Sequence, residues 1–352
     1  MKKALLLITL MLGCVSVFAQ KIDKNELKQL QSFLSQPAEK DATNAAALKI
    51  TDLKSPATWE GVTVENGHVT AIDWKDKHLA GALDLSNFEA LTTVNVSRNK
   101  LTSLNVANDA ALANLNASRN VIKSMDFTGC SGLVTLNIYK NRLTELDLSK
   151  CPLIETINVS NNYLVGLDVS NSSTLKTLNC QGNHLESLNV QDCTALKNLY
   201  CGYNKLTGLM LTGLVNLQNL NIDDNEIQSL IVSGLPALSS FLCTDNNMQQ
   251  LAVRDCKNLL DLVCAYNDLT SLSVEQCPNL LFVDCSYNDL TSLDLSNQTF
   301  LQRILCNNNQ LNLLDVSFDQ ALTYINCRYN MITDLRTIGC TNLGMIACQW
   351  NY

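Results

Sequence analysis

Cysteine has the widest possible chemistry of any residue type in this chain, and its spacing limits that chemistry. Eight cysteines recur at multiples of 21 residues: Cys180, Cys201, Cys243, Cys264, Cys285, Cys306, Cys327 and Cys348. Six more follow a second series with the same step: Cys130, Cys151, Cys193, Cys256, Cys277 and Cys340. Straight rows do not converge as zinc ligands must, and parallel side chains hold their Cβ atoms farther apart than a disulfide prefers. We interpret both series as small buried residues, with disulfides, a metal site and a reactive thiol as alternatives.

A reactive thiol also needs a base beside it, and this chain has few bases of the right kind. Its three histidines are His68, His78 and His184. The sequence contains no set of nucleophile, base and orienting residue, no phosphate-binding loop and no metal-ligand spacing. We therefore expect a protein that is not an enzyme and that has no cofactor and no metal.

Acidic side chains form a third series with the same step. It comprises Asp126, Asp147, Asp168, Asp294 and Asp315, with Asn105 and Asn189 in phase. Carboxylates stacked about 4.8 Å apart suit calcium, which prefers oxygen ligands. The favoured interpretation is that each Asp accepts backbone hydrogen bonds in the turn that follows it. Calcium binding stays an alternative.

One residue type sets the period of the whole chain. Asparagine recurs every 21 residues at Asn99, Asn120, Asn141, Asn162, Asn183, Asn204, Asn225, Asn246, Asn267, Asn288, Asn309, Asn330 and Asn351. A unit of this length cannot bury its apolar side alone and has to stack on its neighbours. We call these thirteen asparagines the ladder. The side-chain amide of each ladder Asn can form hydrogen bonds to backbone groups that are left unpaired where the chain bends away from a strand. We expect the ladder to be structural.

The apolar residues keep the same period. Leu133, Leu136, Ile138, Asn141 and Leu143 spell L-x-x-L-x-L-x-x-N-x-L, which resembles the leucine-rich-repeat family from residue 91 onward. The resemblance implies an α/β-type solenoid, a right-handed arc of about 13 regular turns with a parallel concave sheet and short extended or 3₁₀ convex segments. It is similar to the secreted and surface repeat proteins of bacteria such as internalins.

The outward positions of each strand change character along the chain. In the first half they are short and polar, with one row of Asn95, Asn116, Asn137, Asn158, Asn179 and Asn221 beside Thr93, Thr135, Thr156 and Thr177. We expect this row to bond from rung to rung as solvated sheet surface, with glycan contact as the alternative. From about residue 240 the same positions become larger and less polar.

Aromatic and arginine side chains accompany that change, and both are enriched at recognition surfaces. The predicted ligand-binding residues are Tyr266, Phe282, Tyr287, Arg303, Leu305, Tyr324, Arg328, Tyr329 and Trp350. The alternative is that the tyrosine rings pack over the strand ends and each other and only shield the turns.

The first 20 residues resemble an export signal. Lys2 and Lys3 precede an apolar run, and Val17-Phe18-Ala19 resembles an ordinary cleavage site before Gln20. We expect a protein that is secreted or on the cell surface, without a transmembrane segment. Because Met11-Leu12-Gly13-Cys14 resembles a bacterial lipobox, an outer-membrane lipoprotein acylated at Cys14 is the alternative.

Three further segments follow the predicted signal. Residues 21–58 form a helical and polar segment, with a helix beginning near Asp23 and running to about Gln36. Residues 59–90 resemble the N-terminal cap of plant-type leucine-rich-repeat receptors together with an irregular first repeat, although Val64 stands where those caps usually carry a cysteine. Residues 91–352 form the solenoid.

These features predict a non-enzymatic protein that binds a protein or glycan partner through its concave and C-terminal surface. A net charge of −8 disfavours nucleic acid. The final strand leaves an open edge, which we expect Trp350 and Tyr352 to cover, with a homodimer through this edge as the alternative. Two other functions stay open: an adhesion or assembly component that associates through that edge, and an enzyme inhibitor.

Overall fold

The computed structural model describes residues 22–351, so the predicted signal segment, Cys14 and Tyr352 lie outside the described residues. Helix α1 spans Lys24–Leu34, close to the range that the sequence predicts. It begins where Asp23 Oδ1 accepts hydrogen bonds from the backbone N–H groups of Asn25 and Glu26. Helix α2 spans Asn44–Ala47, and a 3₁₀ turn spans Pro56–Thr58.

The strands of the first half are short, because each 21-residue repeat has to complete a whole turn of the solenoid. They are β1 Val62–Glu65, β2 His68–Asp73, β3 Ala80–Asp84, β4 Thr93–Asn95, β5 Lys100–Asn105, β6 Asn114–Asn116, β7 Thr135–Asn137, β8 Thr156–Asn158, β9 Gly166–Asp168, β10 Thr177–Asn179, β11 Ser187–Asn189 and β12 Asn198–Tyr200.

The strands of the second half continue the series. They are β13 Asn219–Asn221, β14 Ser229–Ser233, β15 Ser240–Leu242, β16 Gln250–Arg254, β17 Asp261–Val263, β18 Ser271–Glu275, β19 Phe282–Asp284, β20 Arg303–Leu305, β21 Leu313–Asp315, β22 Tyr324–Asn326, β23 Asp334–Arg336 and β24 Met345–Ala347.

One sheet of fifteen strands runs the length of the described chain, in the order β1-β2-β4-β6-β7-β8-β10-β12-β13-β15-β17-β19-β20-β22-β24. Strands β1 and β2 form an antiparallel hairpin, and every later pair is parallel. Equivalent positions of successive repeats pair with each other across the sheet, so that Leu178 pairs with Ile157 on the preceding strand and with Leu199 on the following one. The expected solenoid of about 13 turns with a parallel sheet is confirmed.

The opposite side of the solenoid is extended. Short parallel ladders join β3 to β5, β9 to β11, β14 to β16 and β18, and β21 to β23. Within the described residues the one 3₁₀ segment lies at Pro56–Thr58, before the repeats, so the convex segments are extended where the sequence allowed either form.

A continuous apolar core fills the space between the two sides, from Leu30 in α1 to Ile332 near the last turn. The inward position in the middle of each parallel concave strand from β4 to β22 is buried, as Leu115, Leu199 and Phe241 show, whereas Ile346 in the last strand is exposed. The cysteines are free, and twelve of the fourteen described ones are buried. Cys340 is only partly buried and Cys348 is exposed, so the expectation of burial is wrong for these two, which lie in the last turn with no further turn described beyond it.

The ladder asparagines join neighbouring turns. Asn120 Nδ2 donates to the carbonyl of Ala117 in its own turn and to that of Val96 in the preceding turn, both at 3.0 Å. Asn120 Oδ1 accepts from the backbone N–H of Leu101 at 2.9 Å. The same three contacts recur down the ladder, for example at Asn225. The ladder is therefore structural, and its regular spacing holds the side chains of successive rungs in rows.

Candidate binding surface

The residue that precedes each ladder Asn has a left-handed backbone. Its φ lies between +50° and +65° in all thirteen turns: Arg98, Arg119, Lys140, Asn161, Gly182, Tyr203, Asp224, Asp245, Tyr266, Tyr287, Asn308, Tyr329 and Trp350. This conformation is comfortable for Gly, Asn and Asp and unfavourable for bulky residues. Eight of the thirteen positions nevertheless carry Arg, Lys, Tyr or Trp. We call these thirteen residues the pre-ladder column.

Four aromatic residues of this column form two stacked pairs near the C-terminus. The rings of Tyr266 and Tyr287 lie 4.3 Å apart at an interplanar angle of 8°, and those of Tyr329 and Trp350 lie 5.8 Å apart at 7°. Asn308 separates the two pairs. Each ring packs on its partner and keeps much of its surface exposed, from 44% for Tyr287 to 71% for Trp350. Mutual packing therefore leaves these rings accessible.

A second row stands on the concave strands themselves. Phe282, Arg303 and Tyr324 are neighbours across β19, β20 and β22. The guanidinium carbon of Arg303 lies 5.3 Å from the ring centre of Phe282 and 5.7 Å from that of Tyr324. The two rings hold the cation between them, which fixes a long side chain in place. We call these three residues the strand row.

The remaining predicted site residues lie between the two rows. Leu305 is half-buried beside Asp284 and Asn326 on the neighbouring strands. Arg328 Nε donates to Oε1 of Gln349 in the next turn. Since five residues separate the strand row from the pre-ladder column within each turn, the rows are no more than about 17 Å apart. All nine predicted residues therefore lie on the concave strands of the last five turns or in the turn directly after each strand.

Trp350 does not cover the edge of the sheet. Its ring stacks on Tyr329, and the edge strand β24 keeps Met345 53% and Ile346 38% exposed. The expectation that Trp350 folds over this edge is therefore wrong, because its left-handed backbone directs the side chain along the column. Tyr352, which the sequence analysis also expects to cover this edge, lies outside the described residues.

Sequence reasoning missed a group of carboxylates beside Tyr203. Asp223 Oδ1 accepts from the backbone N–H of Thr244, and its Oδ2 accepts from Nδ2 of Asn221. Burial raises the pKa of Asp223, and the negative charge of Asp224 raises the pKa of Tyr203. In the pre-ladder column Tyr203 is followed by Asp224 and Asp245, and the column begins with Arg98, Arg119 and Lys140. The thirteen positions compared as one series would have indicated both charged groups from the sequence.

The polar row of the first half bonds differently from the expectation. Asn116 Oδ1 accepts from the backbone N–H and the hydroxyl of Ser118 within its own turn, and the other members of this row likewise accept from the N–H two residues on. Bonding from rung to rung occurs in the Asn row at Asn95, whose Nδ2 donates to Asp73 Oδ1 on the preceding rung at 3.0 Å. It also occurs in the neighbouring row, where Asn219 donates to Asn198 and Asn198 to Thr177. The prediction of rung-to-rung bonding therefore holds for Asn95 and is wrong for the other members of the Asn row, because the local turn takes the side-chain acceptor first.

The two cysteine series differ in which carbonyl lies nearest the sulfur. In the strand series Cys180, Cys201 and Cys243 each have a carbonyl of the following turn 3.4 to 3.6 Å from the sulfur. Burial raises the pKa of Cys180 and of Cys285 to about 12, so these strand thiols stay protonated. In the other series four thiols, those of Cys130, Cys193, Cys277 and Cys340, donate to a carbonyl of the preceding turn, as Cys193 Sγ does to Val169 O at 3.1 Å. Cys256 Sγ donates instead to Arg254 O in its own turn. Gln298 occupies the same place in its turn and donates to Val274 O. At this position the side chain can therefore donate a hydrogen bond to a backbone carbonyl of the preceding turn as well as fill a small space in the core.

Histidines and aspartates also have structural partners. His68 Nδ1 lies 2.9 Å from Glu26 Oε1, which raises the pKa of His68 and ties the hairpin to α1. His184 stacks on Tyr163. Asp126 accepts from the backbone N–H of Thr128 at 2.8 Å, which lowers its pKa, and the other aspartates of that series do the same. Within residues 22–351 no group of His, Cys, Asp and Glu is placed to hold a metal ion.

Solved structures share this architecture. The functional domain of InlJ from Listeria monocytogenes, described as including a cysteine ladder, is 25% identical with a TM-score of 0.53, covering 84% of this chain and 75% of that one. The chain is a leucine-rich-repeat solenoid. YopM from Yersinia pestis, a leucine-rich effector protein, is 22% identical over 77% of this chain and 78% of its own, with a TM-score of 0.59.

A third solved structure, PEPR1-AtPEP1, has a TM-score of 0.65 at 19% identity, and the match covers 88% of this chain and 52% of that one. Neither the family profiles nor the curated protein sequences include a match to this solenoid. In the described part of the chain no helix is long and apolar enough to cross a membrane.

Proposed function

We propose that this leucine-rich-repeat protein is a non-enzymatic binding protein and that its last five turns recognise a protein partner. The observation that supports this most directly is the strand row, in which Arg303 is held between Phe282 and Tyr324. Aromatic and arginine side chains that are already fixed lose little conformational entropy on binding. The stacked pairs of the pre-ladder column supply a second accessible aromatic row beside it.

The shape of the surface favours a protein over a small molecule. Two rows that lie within about 17 Å of each other and extend over several rungs offer an extended surface of the kind that protein partners bury. The chain that carries it is exported in our proposal, because residues 1–20 have the composition of a signal peptide. Its location on the cell surface or in the medium depends on whether processing occurs near Ala19 or at Cys14.

The test is capture of a partner by matched variants of the purified protein. The first variant carries Phe282→Ser, Arg303→Ser and Tyr324→Ser, which removes the strand row. The control carries Thr93→Ser, Thr135→Ser and Thr156→Ser, which alters the same strand position in the first half of the solenoid. We expect the unaltered protein and the control to capture the same cross-linked protein from surface extracts, and the strand-row variant to lose it about tenfold or more.

Circular dichroism and thermal unfolding establish that the variants are equally folded. Equal capture by all three proteins would show that the strand row is only packing surface. Loss in both variants would show that recognition is not confined to the last five turns. A glycan partner in place of a protein would appear as capture that survives protease treatment of the extract.

The exposed β24 edge keeps one alternative open, association of two copies through Met345 and Ile346. Sedimentation of the purified protein at tens of micromolar, with Ile346→Lys as the comparison, tests it. A monomer at every concentration would argue against it. The enzyme-inhibitor alternative stays a prediction from the sequence.

A further inference from the structure

We propose that the first turns of the solenoid bind an anionic glycan through five exposed basic residues at the start of the ladder. These residues are Arg98, Lys100, Arg119, Lys140 and Arg142, and we call them the basic strip. The strip lies at the opposite end of the solenoid from the aromatic rows. It is a second binding site, independent of the proposed protein-binding surface.

The backbone places the members of the strip in successive rungs. The N–H of Arg98 donates to Ser118 O at 2.8 Å, and that of Arg119 donates to Tyr139 O at 2.7 Å. Arg98, Arg119 and Lys140 belong to the pre-ladder column, so their side chains start about 4.8 Å apart. Lys100 and Arg142 flank them just after the first and third ladder asparagines. The solenoid thus concentrates positive charge on one short edge.

The charges of the strip are almost unneutralised. Lys100 lies 3.8 Å from Glu39, and among the residues that the structure describes the other four form no ion pair. Arg119 is placed over the ring of Tyr139, 5.3 Å from its centre. Like charges on adjacent rungs repel one another, so an anion that lies along the strip removes an unfavourable interaction as well as adding a favourable one.

The backbone conformation makes these side chains unexpected on structural grounds. Arg98, Arg119 and Lys140 have φ values of 58°, 57° and 55°, whereas Asn161 and Gly182 occupy the next two positions of the same column. Asn and Gly adopt this conformation at lower cost than Arg or Lys. Strained positions that keep bulky charged residues are characteristic of functional sites.

A groove runs along the strip. A concavity of about 400 Å³ is lined by Lys100, Arg119, Lys140 and Arg142 and ends at Tyr163. A second concavity of about 320 Å³ continues past Arg98 toward the N-terminal segment. The Tyr163 ring stacks on His184 with 5.8 Å between ring centres, which forms a flat aromatic surface at the end of the groove.

The chemistry of the groove favours a glycan over other polyanions. Arg98, Arg119 and Lys140 place one positive charge of the pre-ladder column on each rung, about every 4.8 Å. This spacing is close to the length of one pyranose unit in an extended glycan chain. An acidic peptide in extended form presents side chains on one face only about every 6.6 Å. The Tyr163–His184 surface offers a place for the apolar face of a sugar ring.

The experiment measures binding of a heparin-derived hexasaccharide by calorimetry at two salt concentrations. The test variant carries Arg98→Asn, Arg119→Asn and Lys140→Asn, which removes three charges at positions where Asn relieves backbone strain. The charge-matched control carries Lys54→Asn, Lys150→Asn and Lys257→Asn, which are exposed lysines outside the strip. We expect the test variant to bind about tenfold or more weakly, with a shallower salt dependence, and the control to bind like the unaltered protein.

Further probes keep the proposal specific. A desulfated hexasaccharide should bind much more weakly than the sulfated one, and polyglutamate and a single-stranded oligonucleotide should each bind more weakly than the sulfated glycan. Absence of glycan binding by the unaltered protein, or equal weakening in the two triple variants, would overturn the proposal. Tighter binding of polyglutamate or of the oligonucleotide would overturn the choice of a glycan. The strand-row variant should bind the hexasaccharide normally, which separates this test from that of the proposed protein partner.

Discussion

Asp109 is a buried carboxyl group whose protonation should govern the pH dependence of stability. It occupies the same place in its turn as Cys130 does in the next, and its Oδ1 accepts from the backbone N–H of Phe88 at 2.8 Å. Its Oδ2 has no hydrogen-bond partner. Burial raises the pKa of Asp109 from its ordinary value of 3.8 to about 7. The folded protein therefore binds a proton here that the unfolded chain releases between pH 4 and 7.

The sign of the effect follows from that raised pKa. The favourable contribution of the protonated carboxyl is complete below about pH 4 and is lost as the pH rises through 7. Asp109→Asn keeps the shape without the charge, so it should raise the free energy of unfolding by about 4 kcal/mol at pH 8 and by much less at pH 4. Denaturant unfolding across this range checks the prediction. A difference that does not change with pH would contradict it.

At the scale of the repeat unit, the two cysteine series should respond differently to serine. Cys193 already donates to Val169 O, so a hydroxyl keeps that contact and Cys193→Ser should cost less than about 1 kcal/mol. Cys264 lies inward on the core side of its turn, fully buried and free. Cys264→Ser should cost about 2 kcal/mol, because it buries a hydroxyl among apolar side chains. Thermal unfolding of the two variants checks this, and equal losses would show that both series are only apolar packing.

The same unit shows what a sequence can and cannot reveal. The inward positions and the ladder follow directly from the period, since the inward positions carry apolar residues or cysteine and the ladder position carries Asn in every turn. The left-handed pre-ladder column was not predictable, because Tyr266 and Arg119 are residues that disfavour that backbone and so hide it. The Asn row was misread for a related reason: Asn116 can bond to its own turn or to a neighbour, and only the structure shows which it does. The candidate site was found from residue type, and its geometry required the structure.

Over the whole molecule, stability depends on contacts between successive turns. Each turn of a solenoid contacts only its neighbours, so a weak junction in the middle can separate two halves that each retain a core. Asn225 is the seventh of the thirteen ladder asparagines and lies in the middle of the solenoid, where it donates to the carbonyls of Cys201 and Ile222 and accepts from the N–H of Leu206. Asn225→Ala leaves these buried groups without partners at a cost of about 3 kcal/mol.

We expect this loss to change the form of unfolding as well as its midpoint. Asn225→Ala should divide a single denaturant transition into two, and hydrogen exchange should show protection lost first in the turns around residue 225. Asn312 is exposed, so Asn312→Ala should keep one transition within about 0.5 kcal/mol of the unaltered protein. One cooperative transition in the Asn225 variant, shifted but undivided, would mean that the continuous core from Leu30 to Ile332 couples the turns more strongly than nearest-neighbour contacts do. In that case a ligand on the basic strip would also stabilise the distant aromatic rows, since binding to the folded state would stabilise every turn together.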